Sequence, residues 1–435
     1  MQYYSLNGQS PAVDFKTATI LGQAPDGGLY FPERLPQWEA GFVKGMEDMS
    51  NVDIAFHIIR PYIGGCLTDD ALHQIVSETI AFQIPLQPVT PDVYALELFH
   101  GPTLAFKDVG ARFMSRCLGQ FVKDRQQQVV VLVATSGDTG GAVANGFYEV
   151  PGISVVILYP SGRVSDVQEK QLTTLGKNIH ALEIQGSFDD CQQIVKRAFR
   201  DGDITNKLFL TSANSINVAR WLPQQFYYAL AYKQWPDKDN PPVISVPSGN
   251  FGNICAGLLA HHSGLPVRHF IAACNANKVV TDYLQTAVYQ PQDSVATLSN
   301  AMDVGNPSNF VRILQIFNQE FNSLKKVMSS ASISDAETVQ TLQHLHEKYG
   351  YFSDPHGAVG YAALLPYLQQ HPGSKGIFLE TAHPVKFLDT VQGSTTGRVP
   401  IPEGIKTLLQ QAKQSTVLPA DYDAVKGFLM GEVNG

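Results

Sequence analysis

From about residue 93 onward, short β-branched runs alternate with longer segments whose apolar residues return every three or four positions. That alternation predicts a parallel sheet covered by helices. The strands it predicts are VVVLVA from 129, SVVILY from 154, HALEI from 180, VISVP from 243, RHFIAAC from 268 and GIFLET from 376. Between them the helical period is clearest at Val109, Phe113, Cys117 and Phe121, with Met114, Leu118 and Val122 widening the stripe. The helix carrying them is expected to pack inward. SDAE at 334–337 reads as a capping box opening a solvated helix.

The first ninety or so residues differ. Turn-rich clusters, densest at QAPDGGLYFPERLPQ, precede a helical stretch and end at IPLQPVTPD, so this part is expected to form a separate domain or extension. KQWPDKDNPP, residues 233–242, is the clearest linker within the remainder, and no repeat or low-complexity tract appears.

A length of 435 residues gives a prior of two or three domains with a sizeable core. Charged residues are 16% of the chain, below the roughly 25% of ordinary soluble domains, while apolar residues are 44%. The expectation is a large, well-buried α/β enzyme. A net charge of -8 leaves no electrostatic footprint for nucleic acid and no basic run for a membrane surface, so a small anionic substrate needs a local basic site. The start, MQYYSLNGQSPAV, does not read as a secretory signal, and the apolar runs are too short to span a bilayer; a cytoplasmic protein is expected. Five widely spaced cysteines without a CxxC pair read as buried, reduced thiols, and the twelve histidines show no metal-ligand spacing.

One stretch raises a chemical question. In LFHGPTLAFKDVG, residues 98–110, Lys107 ends a run that is otherwise apolar, small or turn-forming, with Leu104, Ala105 and Phe106 reading as core-facing. Desolvation favours the neutral amine, the form that attacks a carbonyl carbon to make a Schiff base. The plain alternative is a lysine that reaches solvent from the first turn of a helix.

Three loops stand where α/β sheets bind ligands, between a strand's carboxyl end and the next helix. TSGDTGG, residues 135–141, would offer backbone amides with the hydroxyls of Thr135, Ser136 and Thr139 to a carboxylate or phosphate, or be an ordinary connection with Asp138 as helix cap. PSGNFGN, residues 247–253, brings Gly249 and Gly252 to the start of a helix and suits a phosphate, or is a plain capped turn. NSINVAR, residues 214–220, opens what reads as one long helix through WLPQQFYYALAY; Arg220 can fork to a phosphate or carboxylate, or Asn214 and Ser215 are a cap and Arg220 a surface residue. Thr381 in ETAHPVKF ends the last strand and either meets a ring nitrogen or caps the next helix. A desolvated lysine and two anion sites on one sheet call for a cofactor carrying an aldehyde and a phosphate, and pyridoxal phosphate has both.

The string GLYFP, HGPTLAFKD, ATSGDTGGAVA, ILYPSGRVS, NSINVAR, VPSGNFGN, LSNAMDVGNPSN and TAHPVKF, in this order along nearly the whole chain, resembles the threonine synthase family. That is a family of fold-type II pyridoxal-phosphate enzymes, here of the subgroup with an extended N-terminal domain. The resemblance implies an α/β fold of two parallel-sheet domains of the tryptophan synthase β-like type plus an N-terminal extension. It would divide the chain into an extension at 1–92, a large cofactor domain at 93–124 with 214–435, and a small α/β domain at 125–213.

It further implies that Lys107 is joined to the cofactor and shuttles protons, that Gly249, Asn250, Phe251, Gly252 and Asn253 hold the cofactor phosphate, and that Thr381 faces the pyridine nitrogen. Thr135, Ser136 and Thr139 would take the substrate carboxylate, and Asp138, where many relatives carry asparagine, would stand by the cofactor's ring hydroxyl, protonated or supplied with a donor. Asn214, Ser215 and Arg220 would bind the substrate phosphate. The implied reaction is the PLP-dependent conversion of O-phospho-L-homoserine and water into L-threonine and phosphate in threonine biosynthesis, by a monomer or homodimer without metal. The competing readings are another fold-type II enzyme, such as a serine/threonine dehydratase, and a cofactor-binding protein that has lost catalysis.

Overall fold

A computed structural model describes residues 1–431 and 433. The chain divides into two compact units, one of Met1, 31–106 and 221–400, the other of 2–30, 107–220 and 401–435. Compactness therefore cuts the chain differently from the linear segments of the sequence reading: the first ninety residues contribute to both units.

The first unit is built on a six-stranded sheet. Its order is Met328–Ser332, His269–Cys274, Val243–Pro247, Gly376–Glu380, Val93–Glu97, Leu86–Pro88. All neighbours are parallel except the last, an antiparallel edge strand. The Val243–Pro247, His269–Cys274 and Gly376–Glu380 strands are buried at every residue, as covering both faces of a sheet requires. On one face the Pro355–Gln370 helix lays Val359, Tyr361 and Leu364 against Val93, Val243, Ile271 and Phe378. Each such side chain contributes roughly 1.5–3 kcal/mol on burial.

The second unit has a five-stranded parallel sheet ordered Thr416–Pro419, Ile179–Gln185, Ile153–Pro160, Val129–Ala134, Phe209–Thr211. The segment 129–211 thus does not close its sheet alone, because residues 416–419 supply the outer strand. The Tyr422–Gly431 helix then packs Val425, Phe428 and Leu429 on Leu182 and Ile184 together with the Phe188–Ala198 helix.

The six strands read from the sequence are all present, and the Lys107–Val122 helix buries Val109, Phe113, Cys117 and Phe121 as its period demands. Ser334 and Glu337 form the expected capping box. Cys117, Cys191, Cys255 and Cys274 are buried free thiols and Cys66 is half-buried. The helix expected to run unbroken from 214 is interrupted: Val218–Trp221 gives way to a 3-10 turn at Leu222–Gln224, and the α-helix resumes at Gln225–Gln234. Pro223 is the reason, since it has no N–H to continue the ladder. No helix among the described residues is long and apolar enough to cross a membrane.

Candidate functional site

In the second unit, Lys107 is the first residue of the Lys107–Val122 helix, and its side chain is only 17% exposed, with Nζ 4.0 Å from Asp138 Oδ2. It does not run out to solvent. Glycines let the surrounding backbones come this close: a Cβ at Gly110 would stand 2.6 Å from the Arg220 carbonyl oxygen, and one at Gly146 3.1 Å from the Ala111 backbone. The second approach brings the Asp138–Phe147 helix against the lysine's helix.

The 135–141 loop is organised from within. Thr135 Oγ1 accepts the N–H groups of Gly137 at 3.0 Å and Gly140 at 2.9 Å, and donates to the Gly137 carbonyl at 3.2 Å. A hydroxyl has one hydrogen and two lone pairs, so all three are in use. Thr135 therefore shapes the loop, while Ser136 is exposed and Thr139 half-buried. The helix cap is Gly137, at φ 142°, and not Asp138. Asp138 lies in the first turn, 5% exposed, where its Oδ1 accepts Gln168 Nε2 at 2.9 Å. The donor a carboxylate needs at this place is supplied by Gln168, a residue the sequence reading had left out. Only a glycine at 137 leaves Gln168 its room, since a Cβ there would come within 2.5 Å of the amide.

Arg220 is 3% exposed and bonded through Nη1 to the carbonyl of Ala213, so it is no surface residue. The cap expected at Asn214 or Ser215 is instead made by Asn217, wholly buried, whose Oδ1 accepts Ala219 N–H at 3.0 Å and whose Nδ2 donates to the Thr19 carbonyl at 2.9 Å. Asn214 and Ser215 stand half-buried ahead of it.

In the first unit, the loop after the Val243–Pro247 strand leads into the Gly252–His262 helix with no side-chain cap, which excludes the plain capped turn. Phe251 sits in the left-handed region at φ 61°, its ring edge-on to Phe310. Asn250 is braced from the 305–312 segment: its Oδ1 accepts Ser308 N–H at 2.6 Å and its carbonyl accepts Asn309 Nδ2 at 3.1 Å. Arg312, wholly buried, holds Asn309 Oδ1 at 2.7 Å. A Cβ on Gly249 would meet Met302 Cα at 2.6 Å.

Asn253 is the informative member. Its Oδ1 and its carbonyl oxygen lie 2.8 and 3.0 Å from the Tyr228 hydroxyl, and its Nδ2 is buried without a hydrogen-bond partner in the protein. A buried donor left over at the first turn of a helix fits an anionic acceptor such as a phosphate. Thr381, 7% exposed, follows the Gly376–Glu380 strand and accepts Phe106 N–H at 2.8 Å through its carbonyl. The turn beyond is capped by His383 and not by Thr381. Leu104, next to the Ala105–Ala382 bridge, is held at φ 55° and, like Phe106, is half-buried, so of the three residues expected in the core only Ala105 is. Lys386, wholly buried, donates to the Thr103 carbonyl at 2.9 Å. Among the described residues no group of histidine, cysteine, aspartate and glutamate could hold a metal.

Comparison with known proteins bears on both units. The family model "Pyridoxal-phosphate dependent enzyme" matches residues 82–379, "Threonine synthase N terminus" matches 2–80 and "Threonine synthase, C-terminal" matches 357–429. The chain is 44% identical to threonine synthase of Serratia marcescens and 43% identical to that of Escherichia coli, over 99% of each chain. Among solved structures, PLP-bound threonine synthase of Brucella melitensis matches with a TM-score of 0.93 at 33% identity, covering 100% of both chains. That of Escherichia coli matches with a TM-score of 0.92 at 42%, over 99% of this chain and 100% of its own.

Proposed function

The chain belongs to the threonine synthase family of pyridoxal-phosphate enzymes, and from that premise we propose which of its residues carry each step. The activity is the conversion of O-phospho-L-homoserine and water into L-threonine and phosphate, by γ-elimination and β-addition of water, with pyridoxal 5'-phosphate as cofactor. When bound, the cofactor supplies an electron sink for charge developing at the substrate's α and β carbons.

Lys107 is the proposed point of covalent attachment. Its Nζ would take the substrate's α proton and return one. Gly249, Asn250, Phe251, Gly252 and Asn253 take the cofactor phosphate, with the unpartnered Asn253 Nδ2 as the observation that carries this assignment. Thr381 faces the ring nitrogen with a neutral hydroxyl, which leaves that nitrogen less protonated than an aspartate would. Asp138 stands by the cofactor's ring oxygen, its charge answered by Gln168 and Lys107. Ser136 and Thr139 bind the substrate carboxylate on the frame that Thr135 holds. Asn214, Ser215 and Arg220 bind the substrate phosphate and stabilise its charge as it leaves the γ carbon.

The dehydratase reading is disfavoured, since threonine deaminases match at 13% identity, which reaches the fold alone. Arg220 separates the two, because a dehydratase substrate has no phosphate for it to hold. For the molecule as a whole we propose a cytoplasmic monomer or homodimer that binds no nucleic acid, organised along the sequence as an N-terminal extension at 1–92, a cofactor domain at 93–124 with 214–435 and a small domain at 125–213, segments that the two compact units share out differently. The decisive experiment measures phosphate and threonine released from O-phospho-L-homoserine by wild type and Lys107→Ala. Equal yields abolished by the substitution support the assignment, and turnover surviving it would overturn the role of Lys107.

A further inference from the structure

Next to Thr381 in sequence lies a cluster of buried acids that none of these steps uses. Glu380 ends the Gly376–Glu380 strand, and both it and Asp354 are wholly buried. Asp354 caps the Pro355–Gln370 helix, accepting the N–H groups of His356 at 2.8 Å and Gly357 at 3.4 Å, and His356 Nδ1 at 2.5 Å. His356 Nε2 in turn accepts Ala301 N–H at 3.2 Å, so the ring hydrogen is on Nδ1, facing Asp354.

A protonated Glu380 satisfies every oxygen contact around it. Its Oε2 accepts Asp354 N–H at 3.2 Å, while its Oε1 lies 2.5 Å from Ser353 Oγ. The Ser353 hydroxyl, with a single hydrogen, also lies 2.9 Å from the Asp354 carbonyl oxygen. The Asp354 carbonyl also accepts Ala358 N–H at 2.9 Å, and with Glu380 protonated both contacts of the hydroxyl are filled: the acid O–H donates to Ser353 Oγ, whose own hydrogen goes to the carbonyl. Among the described residues no cation pairs with Glu380. The other groups near it are Glu97, its partner on the adjacent strand, bound by Tyr351 Oη at 3.0 Å and His100 Nε2 at 2.7 Å, and beyond them His383 and Lys386. Burial and then the neighbouring Asp354 carboxylate hold the Glu380 acid well above the usual carboxylate range. The chain makes room for the pair, since a Cβ on Gly357 would stand 2.3 Å from Glu380 Oε1.

We propose that Glu380 is a neutral positioning residue for Thr381: as a carboxylic acid it ties the strand end to the start of the Pro355–Gln370 helix and keeps a second negative charge away from the ring-nitrogen partner. The proposal rests on the assignment of Thr381 to that nitrogen. Glu380 thus anchors the backbone at the strand end, immediately before Thr381.

The test compares holoenzymes of wild type, Glu380→Gln, Glu380→Ala and Thr381→Ala. The infrared spectrum of the wild type at pH 8 is expected to contain a buried carboxylic-acid carbonyl band that Glu380→Gln lacks. Glu380→Gln, which retains a neutral donor, should keep the wild-type cofactor absorbance and a kcat within about threefold, whereas Glu380→Ala should lose on the order of tenfold or more in kcat with little change in KM and a displaced absorbance. Absence of the band, or a Glu380→Gln loss as large as that of Glu380→Ala, would overturn the proposal. If Glu380→Ala does not fold, the band and the Gln variant still decide. An unaltered absorbance in Thr381→Ala would instead bring down the Thr381 assignment and the positioning role with it, while the band decides whether Glu380 is neutral.

Discussion

Lys107 Nζ and Asp138 Oδ2 stand 4.0 Å apart, and the other oxygen of that carboxylate accepts Gln168 Nε2 at 2.9 Å. Gln168 is 3% exposed and is fixed in turn by its capping box with Ser165. The glutamine thus determines where the carboxylate stands beside the lysine. Gln168→Leu removes this donor from a buried carboxyl group, a cost of about 1–3 kcal/mol. Urea denaturation should show a loss in that range, and a variant as stable as wild type would mean that Asp138 is held by other means.

Thr135 offers a sharper contrast, because its two possible roles predict different readouts from the same variants. Its hydroxyl satisfies two glycine amides and is saturated. Thr135→Ser keeps the hydroxyl and should retain most activity and stability, whereas Thr135→Val keeps the shape, orphans the amides and should lose about 1–3 kcal/mol. Melting temperature read beside KM for O-phospho-L-homoserine checks this. If Val raised KM with stability unchanged, the hydroxyl would be touching substrate instead of the loop.

The parts of this fold that were legible are those whose burial is written locally. VVVLVA and VISVP are buried at every residue, so an unbroken apolar run identified them. Met328–Ser332, MSSAS, and Thr416–Pro419, largely exposed, carry no such run and exist as strands because a neighbour in space pairs with them. The glycine and hydroxyl clusters at 135–141 and 247–253 do mark strand-to-helix loops. What escaped were partners set by tertiary packing: Gln168 lies 30 positions from Asp138, and Asp354 lies 26 from Glu380. Asn217 rather than Asn214 became the cap because it also reaches the Thr19 carbonyl, a contact remote in sequence.

Phe251 holds a left-handed backbone at φ 61°, a conformation that costs a residue with a side chain roughly 1–2 kcal/mol. Phe251→Gly would relieve that cost, yet the ring is 3% exposed and packs on Phe310, and removing a buried Phe side chain costs about 3–5 kcal/mol. The packing loss is the larger, so the variant should be less stable than wild type by a few kcal/mol and bind pyridoxal phosphate more weakly. A stability gain in thermal unfolding of the apoprotein would show that backbone strain governs this loop.

The dependence of stability on pH follows from groups whose shifts oppose one another. Burial lowers His269, stacked on Tyr367, and His383 to about 4 from 6.5. Between about 6.5 and 4 the unfolded chain binds protons that the folded chain refuses, so the stability present above pH 6.5 is lost as pH falls toward 4. At about 1.4 kcal/mol per pKa unit, each histidine accounts for roughly 3 kcal/mol at the acid end. Glu380 acts in the reverse sense: its folded pKa is raised, so its contribution is full below the unfolded value near 4.5 and declines as pH rises toward the folded pKa. His269→Gln keeps a partner for Ser329, which stands 2.9 Å from Nε2, but does not titrate. Unfolding free energy measured from pH 7 to 4 should therefore fall less steeply in His269→Gln than in wild type, and parallel curves would show that His269 does not hold off its proton in the folded protein.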